Sequence, residues 1–312
     1  MLLVLVLDSN TILGRNQPLE AHIQRENIRA AAAAIAKIAE EHQTVIVHDL
    51  GAQVALLSLM NESYEEVNNY PLDALGAMSK GMAGFGFEKE LYNALPKQNI
   101  CSVSIQTLID PDDPAMATPN TWTGPVYTHD EAQFIKDAWP DWVLNKDGHY
   151  FRRVVPSPMP REIFGLSALR HIVSSGNITL VCGSGGGVPV RRDVEGELHG
   201  VAAIIDPDRT AQLLAEGLEA DGLLYLTDQE ALEIRNDDVV TRKIKECTPE
   251  HISTLSITDN TNEGKVECVC HFVRSGGKFG AIGRLHCAET ILAGSSGTFV
   301  KVNIPKGIRY YD

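Results

Sequence analysis

The sequence predicts an α/β fold: an open, mostly parallel β-sheet sandwiched by helices. Three observations predict it. Short apolar runs at residues 2–7, 44–48, 178–182 and 223–227 alternate with stretches of helical period. These runs carry no Asp, Glu, Lys or Arg and are mostly apolar, as strands buried on both faces are. Glycines or acids gather just past several of their ends, where ligands bind in open α/β sheets.

Taken in order, Leu2-Leu3-Val4-Leu5-Val6-Leu7 reads as a buried first strand, closed by the polar turn Asp8-Ser9-Asn10. From Glu20 to Glu41, Ile28, Ala31, Ala32, Ile35, Ile38 and Ala39 recur at helical spacing, one apolar face over a sheet. The strand at 44–48 ends in His48, and Asp49-Leu50-Gly51 opens another helix. Pro71 suits the start of a long helix running to about Leu95, and 102–105 is the next strand. Residues 110–161 are rich in Pro, Asp and Trp and lack a long periodic element apart from a short helix near 130–138. So long an aperiodic stretch predicts a lid or subdomain. Arg152 to Pro158 is expected to return the chain to the main sheet. Beyond it, helices at 163–174 and 210–219 alternate with the strands at 178–182 and 223–227. Thr248 caps a short helix, 265–273 forms another, and 297–302 is expected to be the last strand.

Composition excludes several classes. A formal net charge of −14 argues against nucleic acid or an anionic membrane as the main partner. The six-residue opening run lacks a basic leader and is too short for a signal core or a span. No later run approaches about 18 apolar residues, so a cytoplasmic protein is expected. The six cysteines show no framework spacing and are expected to be free thiols. Cys268 and Cys270 fall in a run that reads as a buried helix, which places them about 200° apart. No metal cluster is expected from them.

The chemistry-bearing stretch is Cys182-Gly183-Ser184-Gly185-Gly186-Gly187-Val188-Pro189-Val190. Gly185, Gly186 and Gly187 form either a tight turn or a cradle whose amides approach an anion. No Gly-Lys-Ser/Thr follows, so this is not a Walker loop. Asp206 and Asp208 lie near what reads as a second strand end, either capping the next helix or facing Mg²⁺. Asp228 follows a third. Arg152 and Arg153 are a surface salt-bridge pair or a grip for phosphate. His48 is a hydrogen-bonded structural residue or a general base. Trp122 packs a subdomain or stacks on a base.

Together these segments resemble the carbamate kinases, within the amino-acid-kinase superfold. The resemblance spans nearly the whole chain. It is carried by Gln24-Arg25-Glu26-Asn27, Tyr70-Pro71-Leu72-Asp73-Ala74-Leu75-Gly76-Ala77, Asp110-Pro111-Asp112-Asp113-Pro114-Ala115, Arg152-Arg153-Val154-Val155-Pro156-Ser157-Pro158 and Gly185-Gly186-Gly187-Val188-Pro189-Val190. It implies a single amino-acid-kinase-like domain over 1–312 and a homodimer. A lobe over about 1–175 would hold carbamate or carbamoyl phosphate, with a protruding subdomain at about 118–152. A lobe over about 176–312 would hold Mg-ATP or Mg-ADP through Gly185, Gly186, Gly187 and Asp228. Asp8, Ser9, Asn10, Asp49, Gly51, Arg152 and Arg153 would line the acid and phosphoryl side. Lys265, in Lys265-Val266-Glu267, aligns with a family lysine, and with Asp206 and Asp208 it would carry the chemistry. On its own it also reads as a surface lysine at a helix start.

The sequence departs from the family where the chemistry lies. Asp8-Ser9-Asn10 stands for Gly-Gly-Asn, His48-Asp49-Leu50-Gly51 for His-Gly-Asn-Gly, and Thr121-Trp122-Thr123-Gly124-Pro125 for Lys-Pro-Ile-Gly-Pro. Pro207 stands for a lysine between the two acids. A carboxylate ~4 Å from a phosphoryl oxygen opposes it by about 4 kcal/mol at an effective dielectric near 20. The lost donors would lower the rate by at least ~10⁴. The leading expectation is therefore a carbamate-kinase-like chain whose activity is impaired or lost, leaving a binding, regulatory or assembly role beside a carbamoyl-transfer enzyme. The alternatives are an active carbamate kinase in arginine- or purine-type nitrogen catabolism, and a kinase for a different small acid.

Overall fold

The computed structural model describes residues 1–9, 13–14, 17–48, 51–64, 66, 68–176, 178–182, 185–236, 239–255 and 260–311. The first half runs β1 (Leu2–Leu7), α1 (Ala21–Ala39), β2 (Gln43–His48), α2 (Gly51–Glu62), α3 (Leu72–Ala94), β3 (Asn99–Val103) and β4 (Gln106–Ile109). Next come α4 (Pro114–Ala117), β5 (Thr121–Tyr127), α5 (His129–Ala138), β6 (Val143–Asp147), β7 (Tyr150–Val155), β8 (Pro160–Ile163) and α6 (Leu166–Ser174). The second half holds β9 (Ile178–Cys182), β10 (Val188–Arg192), β11 (Leu198–Gly200), α7 (Pro207–Gly217), β12 (Gly222–Thr227), β13 (Glu233–Asn236) and β14 (Val239–Cys247). It ends with α8 (Pro249–Ile252), α9 (Asn260–Arg274), β15 (Phe279–Arg284), α10 (Ala288–Leu292), β16 (Thr298–Val300) and β17 (Ile308–Tyr310).

Among the described residues the strands form sheets of ten, four and three. The large sheet has the order β13-β14-β16-β15-β12-β1-β2-β9-β3, with β17 on β14. Its last six strands in that order, β15-β12-β1-β2-β9-β3, are all parallel. Their carboxyl ends therefore share one edge. The chain leaves β1 for β2 on one side, and β12 returns on the other, so strand order reverses at β1. That reversal opens a crevice at the carboxyl edge.

Alternation along β1 divides the core. Leu3, Leu5 and Leu7 face one layer with Ile28, Ala31 and Ile35 of α1 and Ala83, Phe87 and Leu91 of α3. Val4 and Val6 face the other with Leu169 of α6, Leu214 of α7 and Val269 of α9. The apolar face expected of α1 is buried throughout. Cys268 and Cys270 both lie in the core of α9 as free thiols, and burial pushes them up to about 12 and about 11.

Several sequence expectations shift. The return at 152–158 does not reach the main sheet: β7 is the centre of a three-stranded antiparallel sheet with β5 and β6. There Tyr127, Ala132, Ile135 and Leu144 form a small core beside Trp139 and Trp142, whereas Trp122 is 42% exposed. The segment before Asp206 is not a strand, because Leu198–Gly200 turns back onto β10 and 201–205 run irregularly. Expected strand 102–105 splits at Ser104 into β3 and β4, which join different sheets. The last strand is β17, not the run at 297–302.

One buried carboxylate ties the α1–α3 layer together. Glu90 of α3, whose side chain is 1% exposed, meets Arg25 at 3.2 Å, Arg29 at 3.3 Å and Lys89 at 3.5 Å. Burial alone would raise its pKa, but hydrogen bonds from Asn93, Arg29 and Arg25 overcome this and hold it near 2 against the usual 4.5. The folded state therefore binds this proton less readily than the unfolded chain does. Its contribution is whole above the unfolded value and fades as pH falls towards 2. Glu90→Gln should cost about 1–3 kcal/mol in urea denaturation at neutral pH, below a fully buried pair because the arginines are half solvated. The gap between the two proteins should narrow at pH 3. An unchanged midpoint at neutral pH would contradict this role.

Candidate functional site

Each strand end at the carboxyl edge places a residue in or beside the crevice. Asp8 follows β1, its amide donating to Leu226 O of β12 at 3.3 Å. His48 ends β2. Gly185 follows β9, its amide donating to His48 O at 2.7 Å. Asp228 follows β12 and is exposed, and its carbonyl accepts from Arg284 Nε at 3.0 Å.

The centre of the site is an ammonium among carboxylates. Lys265 on α9 donates to Asp208 Oδ2 at 3.0 Å and lies 3.7 Å from Asp8 Oδ2. Its side chain is only 13% exposed, so it is not a surface lysine. A second bond runs beside it, Arg209 Nη2 donating to Glu267 Oε2 at 2.8 Å. Lys265-Val266-Glu267 of α9 is thus matched to Asp208-Arg209 of α7. Tyr225 of β12 fixes the helix from below, its hydroxyl donating to Asp208 O at 2.8 Å. Asp206 takes the capping role, its Oδ1 accepting from Asp208 N at 2.8 Å with Pro207 at the helix start.

Three acids now crowd one cation. Burial pushes Asp208 up to about 6; Lys265 opposes the shift, and Asp206 and Asp8 add to it. For Lys265, burial disfavours the charge, yet Asp208 and Asp8 outweigh it and raise its pKa above the ordinary value. The ammonium is permanently charged and firmly placed. The carboxylate excess around it suits a divalent cation that arrives with substrate phosphates, since Mg²⁺ takes oxygen ligands from one or two carboxylates.

The glycine run is a rigid turn on the β2–β9 side. The Gly186 amide donates to Ile205 O at 3.1 Å, so with Gly185 two of the expected cradle amides already serve the backbone. Gly187 has φ +81°, and a Cβ there would stand 2.2 Å from Thr107 Oγ1. Two strands, β2 and β1, separate β9 from β12, so Gly185–Gly187 and Asp228 are about 14 Å apart at ordinary strand spacing.

The remaining expected residues fall as follows. Ser9 donates to Asp8 Oδ1 at 3.1 Å. Gly51 starts α2, and Asn10 and Asp49 lie outside the described residues. Arg152 and Arg153 work within the three-stranded sheet: Arg152 Nε donates to Gly124 O at 3.0 Å, and Arg153 stacks 3.8 Å from the Trp142 ring. Burial lowers Arg153 to about 10. Asp113 caps α4 and also accepts from Met159 N at 3.0 Å, which gives the Asp-Pro-rich stretch a structural reason.

Sequence reading missed Lys80. It lies on the buried face of α3, in step with Leu72, Leu75, Ala83 and Phe87, and is 8% exposed. A charged residue on the inner stripe of a long helix was the available signal. His48 stacks on Phe87 of the same helix at 4.9 Å. Burial, then the charge of Lys80, lower His48 to about 3, so the imidazole is neutral at neutral pH and a weak general base.

Comparison with known proteins follows the same geometry. The amino acid kinase family model matches residues 2–278. A carbamate kinase of Haemophilus influenzae is 37% identical over 312 residues, covering all of both chains. A carbamate kinase of Rhizobium meliloti is 38% identical over 303 residues, covering 96% of this chain and 93% of that one. The solved carbamate kinase of Giardia lamblia bound to AMP-PNP superposes with a TM-score of 0.88 at 30% identity, covering 97% of this chain and 98% of that one. With an edge-aligned parallel sheet and likeness along the full length, the chain belongs to the carbamate kinases of the amino acid kinase family.

Proposed function

We propose that this chain catalyses reversible phosphoryl transfer between carbamoyl phosphate and ADP, giving ATP and carbamate. The observation that carries the reading is Lys265, buried at the crevice and fixed by Asp208 and Asp8, in a chain 37–38% identical to carbamate kinases along its length. The nucleotide lies over the ends of β12, α7 and α9, near Asp228. The acid lies over the ends of β2 and β9. An ADP oxygen attacks phosphorus while the carbamate oxygen leaves with the bonding pair, and charge spreads over the equatorial oxygens. Lys265 meets that charge from a desolvated, preorganised position. Asp208 would help hold a Mg²⁺ ion arriving with the nucleotide, which would supply further charge neutralisation.

A second reading, a chain that binds both ligands but turns over slowly, is favoured by one observation. Asp8, Asp206 and Asp208 outnumber Lys265 and oppose an incoming phosphoryl group. The assay that separates the two is ATP formation from carbamoyl phosphate, ADP and Mg²⁺, read by luminescence. The first reading expects turnover of ~1–10³ s⁻¹. A rate at the buffer baseline would remove both turnover readings.

Lys265→Met should lower kcat/KM by about 10²–10³ without unfolding the chain. Retained activity would contradict the assignment.

The homodimer is proposed to form through the outer face of α3. Met78, Met82 and Phe85 are 43%, 42% and 66% exposed at helical spacing, an apolar stripe suited to a second copy. Sedimentation should give a dimer that Phe85→Asp converts to monomer. A monomeric wild type would overturn it.

A further inference from the structure

Lys80 has no role in the functional reading above, yet its surroundings are those of an anion-binding residue. We propose that Lys80, with His48 beside it, is the substrate-binding cation of the acid side, contacting the anionic oxygens of the phosphoryl-bearing acid.

The placement comes from three elements that meet at the carboxyl edge. Lys80 lies two turns before Phe87 on α3, and Phe87 is the ring on which His48 stacks. Its Nζ reaches the glycine turn after β9: a Cβ built on Gly185 would stand 4.0 Å from it, and one on Gly76 3.8 Å. Gly185 is itself bonded to His48 O, so the ends of β2 and β9 and the ammonium form one corner of the crevice.

The second, independent observation is His48. The residue is fully buried, and neither ring nitrogen finds a hydrogen-bond partner among the described residues. An orphaned buried donor is costly, so such a group marks a place that something polar fills. A neutral imidazole offers one N–H, and an ammonium three, all suited to phosphate or carboxylate oxygens.

Charge argues the same way. A buried ammonium is costly, and the hydrophobe that the stripe of α3 calls for would fill this position without that cost. Lys80 brings a second positive charge to the crevice, on the β2–β9 side. Glycines at 76 and 185 leave room around it, where larger side chains would crowd the ammonium and its anion. The identity of the anion rests on the phosphoryl-transfer reading; the cation's placement does not.

The test is Lys80→Met, with Lys80→Gln as a second variant that keeps a polar tip should the first fail to fold. In the ATP-forming assay, the variant should raise the KM for carbamoyl phosphate by about 10- to 100-fold, the loss expected of a charge-assisted hydrogen bond. The KM for ADP should stay within about twofold, a split that general loss of structure would not give. An unchanged KM for carbamoyl phosphate would overturn the proposal while leaving the kinase reading intact. Should the wild type form no ATP, the kinase reading falls, and inorganic phosphate decides Lys80. A rise in wild-type melting temperature with phosphate that both variants lack would uphold it. The same rise in a variant, or none in the wild type, would overturn it.

Discussion

The contact between Lys265 and Asp208 organises the functional end of this molecule. It joins α9 to α7, and through Asp8 it reaches the end of β1, the strand at which the sheet order reverses. Tyr225 and Arg209 hold the same two helices from either side. An ammonium this buried is tolerated because acids surround it, and the acids are tolerated because it is there. The parallel sheet supplies the geometry: six strands pointing one way bring Asp8, His48, Gly185 and Asp228 to one edge.

Charge balance sets what that edge can do. Three carboxylates around one lysine hold it charged but leave little net positive field for a second anion. Phosphoryl transfer asks a site to neutralise spreading charge. Loops altered from the family pattern would reduce that supply, which is why impaired activity is a natural expectation from sequence. The full-length likeness to carbamate kinases favours retained function instead. The buried ammonium at position 80 offers a physical way to reconcile them, because it restores a cation on the acid side without rebuilding the loops.

Much of the fold was legible in the sequence. α1 and α3 announced themselves by period and by Pro71, and the doubly buried strands by continuous apolar runs. The three-stranded and four-stranded sheets were not. Their strands are short and interrupted by prolines, and registers shift between Thr123 and Val126 and between Leu108 and Ile109, so period two never persists. The apparent strand before Asp206 had a strand's composition, but the hairpin of β10 and β11 claimed its neighbours. Of the candidate residues, Asp206 and Asp208 stood out as acids near an expected strand end and Lys265 through the family pattern, whereas Lys80, and the structural Glu90, were overlooked. Both are charges on the inner stripe of α3, where the helical period was read for its apolar members alone. Arg152 and Arg153 read as a salt-bridge pair or a phosphate grip; the three-stranded sheet, invisible in the sequence, gives Arg152 the carbonyl of Gly124 and Arg153 the ring of Trp142.

The most direct measurement is a crystal structure with a non-hydrolysable ATP analogue and inorganic phosphate. The account places the nucleotide's terminal phosphate within hydrogen-bonding reach of Lys265, and the free phosphate beside Lys80 at the ends of β2 and β9. Ligands seated away from the carboxyl edge, or a phosphate that avoids both lysines, would contradict it.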